Sequence, residues 1–329
     1  MDTVKWGIIG CGDVAEHKSG PPLYQTPGSQ LIAVMRRDRE KAADFARRHA
    51  AKRWYGDVES LLADPEINAV YVASPHHLHP LHATQAARAG KMVFCEKPMG
   101  TSSVEAQTIV DACKTYNVPL TVAYYRRFWP ITQQIKELLE EDAIGCVVQA
   151  QVQLSDFFTG DPNRAWLTSL KESGGGVLAD SGSHWVDLIR YLLGEIEEVT
   201  ACCSSTGGFE VEDTAGLLMR TAGGAYVSFV STWRANMAIN DFDIVGAKGR
   251  ILANPLSAGR VHLFRSGKEP RVFELARSGP AHSELIAELV SRRLAGQTSP
   301  IPGEQAVAVW RIMEAAYRSS REGCRVQTV

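Results

Sequence analysis

The chain has 329 residues, of which 45% are hydrophobic and 22% charged, and its formal net charge is −2. That length exceeds what one hydrophobic core usually serves, so two domains are expected, and the composition excludes a disordered chain. With no basic excess, neither nucleic acid nor an anionic membrane is an expected partner, which leaves a small molecule.

Only Asp2 and Thr3 separate Met1 from VKWGIIG, without a charged, apolar and small-residue leader in series. No run approaches the ~20 apolar residues of a membrane helix. The seven cysteines include no C-x-x-C and sit mostly in apolar surroundings. Reduced, buried thiols in a cytoplasmic protein are the expectation.

Over residues 1–123 the apolar runs VKWGIIG, QLIAVMR, AVYVAS, KMVFCE and PLTVAY alternate with the helical patterns EKAADFARRHA, VESLLA, HPLHATQAARAG and SVEAQTIVDACKTYN. Continuous apolar runs between amphipathic helices indicate a parallel sheet covered on both faces, hence an α/β, doubly wound Rossmann domain. From 124 to 329 strand follows strand, as in CVVQAQVQLSDFF, EVTACCSS, DTAGLLMRTA and GAYVSFVSTW, with Gly-rich turns between. This predicts an α+β second domain on a large, mostly antiparallel open sheet, for substrate binding and oligomerisation. GVLADSGSHWVDLIRYLLG interrupts it with a helix, and a final helix over about 303–323 is expected to pack back towards the first domain.

Gly10, Gly12 and Ala15 fall in G-x-G-x-x-A spacing where the first strand meets a helix. The first glycine permits the tight turn, the second admits a pyrophosphate, and the small third residue lets helix and strand pack. Cys11, Asp13 and Val14 complete that dinucleotide-binding turn. The second strand ends in Arg36 and Arg37, with Asp38 placed too late to select a ribose hydroxyl. Two guanidiniums there favour the 2′-phosphate of NADP(H), with NAD(H) the other option. Ser74, which ends AVYVAS, and Pro75, His76 and His79 of the following PHHLHPLH are expected to border the cofactor. Its four histidines lack a neighbouring Cys or carboxylate, so no metal is expected.

The stretches GCGDVA (10–15), SPHHLH (74–79), AGKMVFCEKP (89–98), YYRRF (124–128) and GGGVLADSGSHWVD (174–187) resemble the glucose–fructose oxidoreductase / inositol dehydrogenase / MocA-like (Gfo/Idh/MocA) family along nearly the full length. The resemblance implies that Lys97 stands beside the nicotinamide and the substrate hydroxyl, with a cis bond before Pro98 and Glu96 in the same loop. It also makes Asp180 and His184 members of the catalytic set. Their spacing of four puts both on one face of a helix, and imidazole titrates near neutral pH, as an acid–base group must. Asp187, a turn beyond His184, either orients it or serves packing. Tyr125, Arg127, Arg164 and Trp166 are the expected substrate walls.

The implied activity is hydride transfer between nicotinamide C4 and a carbinol or carbonyl carbon of a sugar or polyol. Redox-assisted elimination on a tightly held cofactor, or non-catalytic dinucleotide binding, are the alternatives. A homodimer or homotetramer through the open sheet face is expected by analogy.

Overall fold

The computed structural model describes residues 3–328. Six strands form the first sheet: β1 (Val4–Ile9), β2 (Ser29–Met35), β3 (Arg53–Tyr55), β4 (Ala69–Val72), β5 (Met92–Cys95) and β6 (Leu120–Val122). All neighbours run parallel, in the order β3-β2-β1-β4-β5-β6. That is the doubly wound dinucleotide-binding order, which reverses direction next to β1. Every residue of β4 and β5 is buried, as a sheet covered on both faces requires. Burying each large apolar side chain contributes roughly 1.5–3 kcal/mol.

The connecting helices are α1 (Gly20–Gln25), α2 (Arg39–Arg48), α3 (Val58–Leu62), α4 (His79–Arg88) and α5 (Ser103–Thr115). The starts of α2, α3 and α5 follow capping chemistry, and α1 and α4 open on proline instead. Asp38 accepts the Lys41 amide at the head of α2, and Asp57 accepts the Ser60 amide at α3. At α5 Ser102 accepts the Glu105 amide, while the Glu105 carboxylate takes the amide and hydroxyl of Thr101. In a reciprocal S-x-x-E box the carboxylate would take the Ser102 amide, and here it caps the preceding residue, Thr101, instead.

The second sheet has nine strands in the order β14-β13-β12-β11-β7-β10-β9-β8-β15. They are β7 (Val147–Phe157), β8 (Ile196–Ser204), β9 (Thr214–Thr221), β10 (Tyr226–Thr232), β11 (Arg234–Gly246), β12 (Gly249–Ala253), β13 (Arg260–Arg265), β14 (Lys268–Glu274) and β15 (Val326–Gln327). β7 and β10 pair in parallel and the other pairs are antiparallel. Alternating burial along β9 and β10 gives that sheet one packed face. Helices α6 (Pro130–Glu140), α7 (Leu170–Ser173) and α8 (Ser183–Leu193) belong with this sheet, and α9 (Ser283–Leu294) and α10 (Glu304–Glu322) follow.

The chain separates into two compact units, and the boundary is not a single cut in the sequence. The first unit runs through Tyr125 and also takes in Ser278–Val307, and the second comprises Arg126–Arg277 and the chain from Ala308. Specific bonds knit the returning segment into the first unit. The Val122 amide donates to the Ile301 carbonyl, Thr121 and Ser299 share a hydroxyl hydrogen bond, and the His282 amide donates to Lys18. No helix among the described residues is long and apolar enough to cross a membrane.

Candidate functional site

The turn after β1 is built around two glycines with different constraints. Gly10 has φ +96°, and a Cβ there would lie 2.7 Å from the backbone of Ala73 and Ser74. Only glycine satisfies both the left-handed conformation and the close approach. Gly12 is the opposite case: nothing lies within 4 Å of where its Cβ would stand. The Glu16 amide donates to the Gly12 carbonyl, so helical winding begins there and runs through a π turn at Ala15–Ser19 into α1. The first amides of a helix have no intrahelical partner, and they face this space with a favourable dipole. A pyrophosphate fits that cradle.

Around it Asp13 is exposed, Val14 is half-buried, and Cys11 is buried with its Sγ 3.7 Å from the Met35 carbonyl. Burial pushes the Cys11 thiol up to about 11, so the group is neutral. Arg36 donates from Nη1 to the Cys11 carbonyl at 3.0 Å, and Arg37 is exposed beside it.

In the loop after β4, Pro75 leads into a single turn at His76–Leu78, with His76 buried. His79 Nδ1 lies 2.9 Å from the Pro98 carbonyl and its Nε2 2.7 Å from the Ser74 carbonyl. This ring therefore joins the loop after β4 to the loop after β5. Burial lowers its pKa, against the pull of the two carbonyls. His82, whose Nδ1 is 2.9 Å from Ser74 Oγ, is brought down to about 4, first by burial and then by His79. Among the described residues no group of three or more His, Cys, Asp or Glu is placed to hold a metal ion.

At the end of β5 the Lys97–Pro98 bond is cis. Glu96, expected beside the cofactor, is buried, and its carboxylate is held from below. Tyr71 Oη donates to Oε1 at 2.5 Å, His282 Nε2 lies 2.8 Å from the same oxygen, and the Lys97 amide donates to Oε2. Burial alone would raise this carboxyl, but His282, Tyr71 and Lys97 together bring it down to about 2. Glu96 is thus an anchored anion beneath the lysine turn, and Lys97 itself is half-buried. Tyr125 is buried with its ring centroid 4.2 Å from that of His282.

In the second unit, Asp180 and His184 do not share a regular helix. Leu178–Gly182 winds as a wide π turn, and α8 begins at Ser183. Such turns insert one extra residue and are frequent at functional sites. Asp180 lies 3.6 Å from Arg164 Nη2, and the Ser183 hydroxyl donates to the Asp180 carbonyl. His184 is 4% exposed. Asp187 receives Arg127 through both carboxylate oxygens, at 2.9 Å and 2.5 Å, inside the core. Burial raises the Asp187 carboxyl while Arg127 pulls it back. Arg127, an expected substrate wall, thus has its guanidinium clasped by a core carboxylate, whereas Arg164 is exposed and stacks over Phe158. Trp166 is half-buried in the turns Pro162–Thr168.

Sequence reasoning misses Tyr71, His282 and Glu212. Each acts on a partner distant along the chain, and nothing in the local pattern singles out any of them.

An open glycine turn after β1, at the point where this strand order reverses, defines a dinucleotide-binding domain of the Rossmann type. Residues 4–124 match the profile described as an oxidoreductase family with an NAD-binding Rossmann fold, and residues 132–252 match the GFO/IDH/MocA C-terminal domain. An oxidoreductase of Formosa agariphila is 36% identical over 322 residues, covering 94% of this chain and 97% of the relative. The levoglucosan dehydrogenase of Pseudarthrobacter phenanthrenivorans is 30% identical over 319 residues, covering 86% of this chain and 82% of the relative. Among solved structures, a levoglucosan dehydrogenase in complex with NADH and levoglucosan superposes with a TM-score of 0.88 at 26% identity over 99% of both chains. The aldose-aldose oxidoreductase of Caulobacter crescentus, complexed with glycerol, gives 0.90 at 27% identity over 99% of both chains. The chain belongs to the Gfo/Idh/MocA family of oxidoreductases.

Proposed function

We propose that this protein is a dehydrogenase or reductase acting on a hydroxyl-bearing carbon of a sugar, polyol or related small polyhydroxy compound, with NADP(H) preferred over NAD(H). The observation that carries the reading is Lys97 just past the C-terminal end of β5, in the sheet whose first turn holds the open cradle at Gly12. Ligands of such sheets bind beyond the strand C-termini, beside the point where strand order reverses. Relatives named for levoglucosan and for aldoses support the substrate class.

When bound, the nicotinamide supplies the hydride chemistry. Gly10, Cys11, Gly12, Asp13 and Val14 seat its pyrophosphate, with Ser74, Pro75, His76 and His79 in the bordering loop. Lys97 donates a hydrogen bond to the reacting oxygen and stabilises its developing negative charge. His184 accepts the alcohol proton, or returns it in the reducing direction, and Asp180 orients the substrate or the imidazole. Tyr125, Arg164 and Trp166 contribute to substrate recognition, and Arg127 acts through Asp187. Arg36 and Arg37 support the NADP(H) preference, because guanidiniums match a 2′-phosphate.

Cys11, Cys95 and Cys113 are buried as expected, whereas Cys146, Cys202 and Cys324 are exposed, and unpaired thiols of both kinds suit a reducing compartment. Leu218, Tyr226 and Val230, each about half exposed on β9 and β10, suit a homo-oligomer formed through the second sheet.

The test is to titrate NADPH and NADH separately by quenching of tryptophan fluorescence. NADPH tighter by tenfold or more, equivalent to about 1.4 kcal/mol, supports the cofactor assignment. Equal or reversed affinity removes it. A screen of levoglucosan, aldoses and polyols with the preferred dinucleotide then tests the substrate class, and absence of turnover on all of them rejects it.

A further inference from the structure

The segment that carries Asp180 and His184 starts on three glycines, and something has to hold it. Glu212, from the stretch FEVED before β9, does so with both carboxylate oxygens and its backbone carbonyl. Its Oε2 accepts the Gly176 amide at 2.9 Å, and its Oε1 accepts the Leu178 amide at 3.0 Å. Its own backbone carbonyl accepts the Val177 amide between them at 3.0 Å. Tyr317 of α10 donates its hydroxyl to Oε1 at 3.0 Å, the same oxygen that accepts the Leu178 amide. The four groups belong to one compact unit.

The glycines are shaped to this contact. A Cβ at Gly176 would overlap the Glu212 carbonyl, and one at Gly175 would overlap the Tyr317 hydroxyl. The backbone of 175–176 therefore lies directly against the Glu212–Tyr317 pair. A charged acceptor on opening amides forms stronger hydrogen bonds than a neutral one and opposes the positive end of the helix dipole. Burial raises the Glu212 carboxyl, and the Gly176 and Leu178 amides act against that rise.

We propose that Glu212 is a positioning residue for the proton-handling pair. It clamps amides 176–178, and so fixes the turn from which Asp180 and His184 project. The role rests on the proposed assignment of Asp180 and His184. A turn containing a π-type winding has more than one way to relax into regular helix. Removing the clamp frees that relaxation and shifts Asp180 relative to His184.

The test uses Glu212→Gln, Glu212→Ala and His184→Asn in the full chain, with levoglucosan, glucose, xylose and glycerol as probes and NAD+ and NADP+ as acceptors. Glu212→Gln keeps the shape but turns one oxygen into a donor facing amide donors. Turnover in that variant should drop at least 10-fold, while the KM for the dinucleotide stays within 2-fold of the parent. Amide exchange at Gly176 and Leu178 should quicken at least 10-fold while the amides of β9 and β10 keep their protection. Glu212→Ala should lower turnover further.

Parental turnover in Glu212→Gln, together with its loss in His184→Asn, overturns the positioning role and leaves the acid–base reading intact. The same holds if exchange quickens uniformly through the second sheet, because the role is then one of global stability. Parental turnover in His184→Asn overturns the acid–base reading itself, and the positioning role with it.

Discussion

Glu96 Oε1 and His282 Nε2 lie 2.8 Å apart in the interior of the first unit, although 186 positions separate them in the chain. The carboxylate is buried, with Tyr71 on the same oxygen and the Lys97 amide on the other. An anion buried this way is stable only while its partners stay in place. His282→Ala removes one of them, and unfolding in urea should show a loss of about 3 kcal/mol. A loss below about 1 kcal/mol would mean that Tyr71 and Lys97 suffice.

The same pair sets an acid limit. Folding lowers the Glu96 carboxyl from 4.5 to about 2. Its contribution to stability, about 3 kcal/mol at 1.36 per pKa unit, is complete above pH 4.5 and drains away as pH falls towards 2. Urea midpoints measured from pH 7 down to pH 2.5 should decline across that window. Glu96→Gln should flatten the decline, and an unaltered slope in that variant would reject the assignment.

Gly10 and Gly12 should respond oppositely to alanine. Gly10→Ala forces a side chain into φ +96° against the backbone of Ala73 and Ser74, so a loss of several kcal/mol and poor folding are expected. Gly12→Ala has open space for its methyl and should leave the thermal midpoint nearly unchanged. That methyl occupies the space a pyrophosphate needs, so dinucleotide affinity should fall at least 10-fold. Fluorescence titration of the folded Gly12→Ala protein decides the point.

Lys97→Met keeps the length of the side chain and removes the ammonium. Loss of one preorganised donor to a developing oxyanion slows turnover by roughly 10²–10³. Dinucleotide affinity should stay within 2-fold, since the pyrophosphate cradle lies on β1. Full turnover in this variant would reject the assigned chemistry.

Arg127→Ala takes the bidentate partner from Asp187 in the core and should destabilise by roughly 3–5 kcal/mol. Replacing both, as Arg127→Met with Asp187→Leu, should recover most of that loss because no buried charge is left unbalanced. Thermal melts of the single and double variants measure the coupling.

Much of this protein is legible in its sequence wherever the physics is local. A glycine forced to positive φ, small residues at a strand–helix turn and apolar runs of strand length all declare themselves within a few positions. Hence Gly10, Gly12, five of the six parallel strands and the Lys97–Pro98 turn can be read directly, whereas β3, three residues long and without an apolar run, is missed. The wide turn at Leu178–Gly182 reads as continuous helix, since its composition does not distinguish one extra residue per turn. Arg127, too, reads as an accessible cation, and only the folded chain shows Asp187 enclosing it.

By itself, then, the sequence determined the class of fold and the glycine turn after the first strand, because both follow from spacing along the chain, while the candidate reactive side chains came from resemblance to a family. Only the tertiary structure decided that Ser278–Val307 returns to the first unit, that His282 closes over Glu96, and that Glu212 and Tyr317 brace the glycines before Asp180. Those are partnerships between buried polar groups far apart in sequence. A buried carboxylate must find donors wherever the packed chain brings them, and no local pattern records where that will be.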